Sequence, residues 1–193
     1  MRSLFDGDIS RWNVSNVKDM SNLFSEAKFS GDISNWDVSN VENMEDMFSY
    51  TFYNGDISRW DVSNVKHMDG MFKQSAFIGD ISKWNVSSVE TMSRMFSVSV
   101  FNKDISRWNV SNVKDMSNMF MDAVFNRDIS KWDVSNVENM TGMFFNSIFK
   151  HDISMWDVSK VKRNHLMFHR SGHVMQMPEE YKPKFNEDIL EDE

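Results

Sequence analysis

The sequence predicts a solenoid: seven stacked 24-residue units, each with a short β-strand and a short helical turn. Two observations predict it. All seven tryptophans, from Trp12 and Trp36 to Trp156, fall at one step of 24 residues, and so do the Asp-Ile-Ser triplets that begin at Asp8 and the phenylalanines that begin at Phe24. No insertion or deletion breaks that step, so equivalent residues stack coil on coil. A single unit cannot bury enough apolar surface to offset the entropy of ordering its backbone, and neighbours must cover each other.

Within unit one, Ile9, Trp12, Val14 and Val17 have the spacing of a leucine-rich repeat, which points to a leucine-rich-repeat-like right-handed coil. Trp12 and Val14 alternate with Arg11, Asn13 and Ser15, the pattern of a strand with one buried face. Met20, Leu23, Phe24 and Ala27 follow at helical spacing and predict the helical turn. Phe29-Ser30-Gly31-Asp32 then reads as the turn into the next coil. Lys103, Arg127 and His151 replace Gly in later units, so no positive φ is required there. With 17 methionines and almost no leucine, Met and Phe are expected to fill the core.

The chain has 193 residues, a net charge of −8 and no cysteine. This excludes disulfides, thiolate metal sites and a cysteine nucleophile. No apolar run reaches the roughly 18 residues of a membrane span, and the acidic balance disfavours nucleic acid as a partner. Met1 to Asp6 lacks the apolar stretch of a secretory signal. Residues 1–173 are expected to form the array and 174–193 a C-terminal cap with an acidic tail. That tail contains both prolines of the chain, Pro178 and Pro183. The array begins in mid-unit, so the expectation is either end-to-end self-association through the uncapped N-terminal coil or a missing N-terminal segment.

Several polar columns have the same period. Lys18, Glu42, Lys66, Glu90, Lys114, Glu138 and Lys162 alternate in sign, which stacking converts into a ladder of ion pairs that also sets the register. The Asp8 column reads as turn residues that accept backbone hydrogen bonds. Its alternative reading is a row of Ca²⁺ sites, since hard cations take carboxylate oxygens. His165, His169 and His173 lie four apart, but Gly172 would interrupt a helix there. They read as part of a polar terminal unit rather than a metal site.

The residues flanking the strand give the candidate partner-binding surface: Arg11, Arg59, Lys83, Arg107 and Lys131 in one column, and Asn13, Asp61, Asn85, Asn109 and Asp133 in the other. Solenoids commonly bind partners on such a face. Units one and five match closely over 11–24 and 107–120, as do units two and six over 36–44 and 132–140, which suggests that the array grew by copying a four-unit block.

The motif D-I-S-x-W-[ND]-V-S-N-V-x-x-M-x-x-M-F over residues 5–172 resembles the BspA-like leucine-rich repeat surface proteins. More closely, it resembles the repeat of unknown function abundant in mycoplasma surface lipoproteins. The resemblance implies a solenoid displayed outside the cell for adhesion or protein binding, and it transfers no catalytic residues. The sequence shows neither a secretory signal nor a lipidation cysteine, so the expectation is that it is a fragment or stays inside the cell. The expectation is therefore a non-enzymatic scaffold without a cofactor, binding a protein or cell-surface ligand through the strand-face columns. The alternative is a Ca²⁺-binding solenoid using the Asp columns.

Overall fold

The computed structural model describes residues 7–170 and 177–185. The chain returns to the same place every 24 residues. Parallel bridges join Asp19 to Asn43, Asn43 to His67, and so on through Thr91, Asp115 and Asn139 to Arg163. Coils are numbered here from 5–28 (coil 1) to 149–172 (coil 7), in the register of the sequence repeat.

The bridges lie at Asp19 and its equivalents, not at Trp12–Val14 where the strand was expected. The Trp12 stretch is extended, but it is bracketed by turns, with Trp12 N–H donating to Ile9 O at 3.0 Å and Val17 N–H to Val14 O at 2.9 Å. Those turns satisfy backbone groups within the coil and leave no ladder at this place.

The segment expected to be a helical turn is not a helix. In coil 1 the N–H groups of Met20, Asn22, Phe24 and Glu26 donate across to Asn43, Glu45, Met47 and Ser49 of coil 2, at 2.8–3.0 Å. Those of Leu23, Ser25 and Ala27 donate three residues back to Met20, Asn22 and Phe24, at 3.0–3.2 Å. Alternate N–H groups thus serve the neighbouring coil and the coil's own turns, whereas an α-helix spends all of them on itself. The path requires left-handed residues at two places per coil, the Asn22 and Glu26 columns, with φ between 48° and 60°. Gly70 and Gly142 meet that demand without steric cost, and Asn22, Asp46 and Asn118 are well suited to it.

The core repeats with the coil. Ile, Val, Met and Phe columns run through the stack, with Val65, Met68, Met71 and Phe72 fully buried in coil 3. The Phe24 column stacks face to face from Phe24 to Phe168, with ring centroids 5.6–5.9 Å apart and planes within 5–12°. A second column, from Phe29 and Tyr53 to Phe149, packs beside it at 4.2–4.7 Å. Offset aromatic pairs of this kind gain energy beyond their buried area.

From Trp36 to Trp156 the indoles are buried, and each donates its Nε1–H to the Ile carbonyl of the preceding coil at 3.0–3.3 Å. The same carbonyl also accepts the backbone N–H of its own coil's Trp, as Ile33 O does from Trp36 and Trp60, so both lone pairs are used. The Trp column is therefore core, and each indole also fastens two coils together.

After the array, residues 177–185 pack on coil 7. A 3₁₀ turn spans Glu179–Tyr181, Met177 is buried, and Ile153 N–H donates to Tyr181 O at 3.0 Å. The Lys182 ammonium lies 5.6 Å from the Phe168 ring centroid. This segment covers the C-terminal face of the stack. At the other end Trp12 is 56% exposed, and Ile9, Leu23, Phe24 and Phe29 help line an apolar cavity of about 200 Å³.

Two substitutions of opposite sign test this packing. Trp84→Phe removes the bond to the Ile57 carbonyl and leaves unfilled volume, and is expected to destabilise the chain by about 1–3 kcal/mol. Tyr53 is the one hydroxyl in an otherwise phenylalanine column among the described residues, and its buried oxygen has no hydrogen-bond partner there. Tyr53→Phe is therefore expected to stabilise by about 1 kcal/mol. Thermal denaturation of both variants measures the pair.

Candidate binding face

All ten residues expected to bind a partner are exposed. All but Arg11 and Asn13 flank buried tryptophans, so Arg59 and Asp61 point away from Trp60, and Arg107 and Asn109 from Trp108. The structure separates their roles.

The Asn13 column is committed to the backbone. In all seven coils the side-chain Oδ1 accepts the N–H of the Ser two residues on, at 3.0–3.2 Å. Asn13, Asp61, Asn85, Asn109 and Asp133 thus close turns. Either Asn or Asp serves, because both present an acceptor oxygen at the same place.

The Asp8 column does the same job. Each Oδ1, from Asp8 to Asp152, accepts the N–H of the following Ser at 2.9 Å. These bonds favour the ionised form and hold every carboxyl of the column below its ordinary range. The stacked neighbours Asp8 and Asp56 push Asp32 the other way by a smaller amount. Among the described residues no group of three or more His, Cys, Asp or Glu stands where it could hold a metal ion.

The Lys18 column forms the expected ladder. Glu42 lies between Lys18 at 3.4 Å and Lys66 at 2.7 Å, while Glu90 pairs with Lys114 at 2.8 Å and Glu138 with Lys162 at 2.7 Å. Hydrogen bonds and charge from these lysines lower the three Glu carboxyls, and Lys66 and Lys114 are raised by the same contacts. Another column joins coils by side chain to backbone: Asn40, Asn64, Asn112 and Asn136 donate Nδ2–H to carbonyls of the preceding coil, at 2.7–2.8 Å.

The second basic column is different. Arg11, Arg59, Lys83, Arg107 and Lys131 form no side-chain hydrogen bond or direct ion pair among the described residues. The charges of Arg59 and Lys83 help lower Asp56 and Asp80 of the Asp8 column. The charge of Arg107 helps lower Asp104, and that of Lys131 helps lower Asp128. Lys83 and Arg107 meet Asp104 and Ser82 around a groove of about 480 Å³, and Lys131 shares a second of about 310 Å³ with Asp104, Asp128 and Arg127.

Arg127 extends the row, and the residue types alone had marked its place only as a glycine turn. Its signal was the change from Gly to Lys103, Arg127 and His151 in this column; Arg127 faces the groove while its Nε–H donates to Asn102 O at 2.9 Å. The glycines of that column do not have positive φ; at Gly55 a Cβ would clash with the Tyr53 hydroxyl, whereas Lys103, Arg127 and His151 are accommodated beside phenylalanines.

A family model described as Mycoplasma protein of unknown function, DUF285, matches residues 1–78 and 74–181. The chain belongs to this family. No curated protein and no solved structure matches it. The exposed surface of this DUF285 chain is built from columns, and among the described residues the Arg11 column forms no side-chain hydrogen bond or ion pair of its own. No helix among the described residues is long and apolar enough to cross a membrane.

In the last coil, His165 and His169 lie on no helix, since Leu166 between them is left-handed at φ 56°. His169 stacks on Phe145 at 5.5 Å instead. His173 lies outside the described residues.

The carboxylate shifts have a pH consequence. A carboxyl whose folded pKa is depressed contributes stability above its unfolded pKa and loses it as pH falls through the folded value. The melting temperature is therefore expected to be level from pH 7 to about 5 and to drop below about pH 4. Melts followed by the fluorescence of the buried tryptophans measure this, and a midpoint unchanged at pH 2 contradicts it.

Proposed function

We propose that this protein is a non-enzymatic repeat scaffold that binds another protein or a cell surface through the Arg11 column. One observation supports the reading above the others. Of two basic columns, the Lys18 column is neutralised by glutamates of adjacent coils, whereas Arg59, Lys83, Arg107 and Lys131 stay exposed and unpaired on one face. Repeated at the coil spacing, such cations engage a partner bearing regularly placed anionic groups. Individually weak contacts then add by multivalency. The Asp8 column beside them divides the face into stripes of opposite sign, which favours a patterned partner over any polyanion.

The same reading places the chain with leucine-rich-repeat-like right-handed solenoids and, through its likeness to BspA-like proteins, at the cell surface. The parallel ladder, the Ile-x-x-Trp-x-Val spacing and membership of DUF285 support it.

The triple reversal Arg59→Glu, Lys83→Glu, Arg107→Glu tests the face. All three side chains are exposed, so the melting temperature is expected to stay close to that of the parent, while adhesion to host cells or capture of a purified surface ligand falls at least about tenfold. Undiminished binding by a folded triple variant removes this face from consideration. Calorimetry with Ca²⁺ decides the competing use of the Asp columns: binding heat together with a raised melting temperature would establish it.

A further inference from the structure

A different side of the coils presents an apolar strip. Phe52, Ala76, Val100, Val124 and Ile148 occupy one column in five consecutive coils. Phe52 is 90% exposed, Val100 51% and Ile148 49%. Their chain neighbours on both sides, such as Ser99 and Phe101, are buried, so the column points outward. Ala76 N–H donates to Thr51 O at 3.0 Å and Val124 N–H to Ser99 O at 3.4 Å, which keeps the column in line from coil to coil. An apolar row exposed in four of five consecutive coils, with Ala76 half-buried between, marks an interaction surface.

Two residues upstream, Tyr50 and Val98 widen the strip, and both are exposed and left-handed, with φ 55° and 54°. A β-branched residue is disfavoured in that region on steric grounds. Other coils place Asp122 or Asn146 there, which suit both the backbone and the solvent. Val98 therefore carries two costs that Asn would avoid, and strain kept at an exposed apolar centre points to use.

We propose that this strip is the interface of a two-fold dimer, in which a second copy of the chain packs against it with its coils running in the opposite direction. The pattern is self-complementary in that arrangement. A two-fold axis across coil 4 sets Val98 and Val100 against their own equivalents. Small Ala76 then meets the partner's Val124, and Phe52 meets the partner's Ile148. At the two ends Glu26 meets the partner's Arg170, and both residues are exposed. Running the copies in the same direction instead opposes Lys28 to its own equivalent and sets Val98 against the partner's Asn102. Charge and polarity thus select the antiparallel arrangement.

Sedimentation equilibrium of the full chain across micromolar concentrations tests this. The parent is expected to dimerise reversibly. Val100→Lys, which opposes two cations on the axis, is expected to raise the dimer dissociation constant at least about tenfold. Glu26→Arg and Arg170→Glu should each weaken the dimer, and the double reversal should restore it. Val98→Asn is expected to weaken the dimer while raising the melting temperature of the dilute monomer, because it relieves the backbone. A parent that stays monomeric, a dimer indifferent to Val100→Lys, or a double reversal that fails to recover overturns the proposal. So does a monomer that instead uses the strip on lipid vesicles or an unrelated protein.

Discussion

The division of backbone N–H groups in the 20–26 segment of each coil holds the molecule together. One donor crosses to the next coil, the following donor closes a turn behind it, and the pattern repeats through the segment. Neither half is sufficient alone. Turns without the crossing bonds would be isolated loops, and crossing bonds without the turns would need a straight strand that could not carry the chain round. The arrangement also fixes the repeat length, because one extra residue would shift every donor onto the wrong role. Buried backbone groups tolerate little such error.

Side-chain columns then solve each remaining problem once and copy the solution. The indole of Trp60 fills the second lone pair of the Ile33 carbonyl, and the indoles through Trp156 do the same in their own coils. Asp56 and Asp61 each cap a turn in coil 3, and their equivalents do so throughout. Glu42 bridges lysines of the coils on either side. Stacking of like carboxylates, as in Asp8, Asp32 and Asp56, would be unfavourable in isolation. It is tolerated because each group is exposed to water and bonded to its own serine.

Against that background, residues without a structural task stand out. Arg59, Lys83 and Arg107 project beside Asp8-column and Asn13-column residues that support the backbone. The Phe52 to Ile148 strip is apolar where the fold asks for nothing apolar. Both features recur coil after coil, and a stacked repeat turns a modest local preference into an extended surface. The two faces differ in character, one charged and the other apolar, so salt would weaken contacts on the first and leave those on the second.

Much was legible without coordinates. The step between Trp12 and Trp36 implied stacking, the Lys18 to Lys162 alternation implied ion pairs between coils, and the Asp8 column implied turns that bond their own backbone. The strand and the helical turn were misplaced for a common reason. Periodicity reports which residues are buried, and Met20, Phe24 and Ala27 meet the same core in a chain of turns as they would on a helix. The Gly, Asn and Asp residues at the Asn22 column were the overlooked sign, since they mark a left-handed backbone that a helix forbids.

The amino-acid pattern alone determined the repeat length, the buried columns and the pairing of charge, because each depends only on residues that stack at a constant interval. Tertiary structure alone decided which N–H groups cross between coils, which of two basic columns is neutralised, and that Val98 and Phe52 share one outward face. Those outcomes depend on the direction in which each residue leaves the winding backbone, and a one-dimensional period does not contain it.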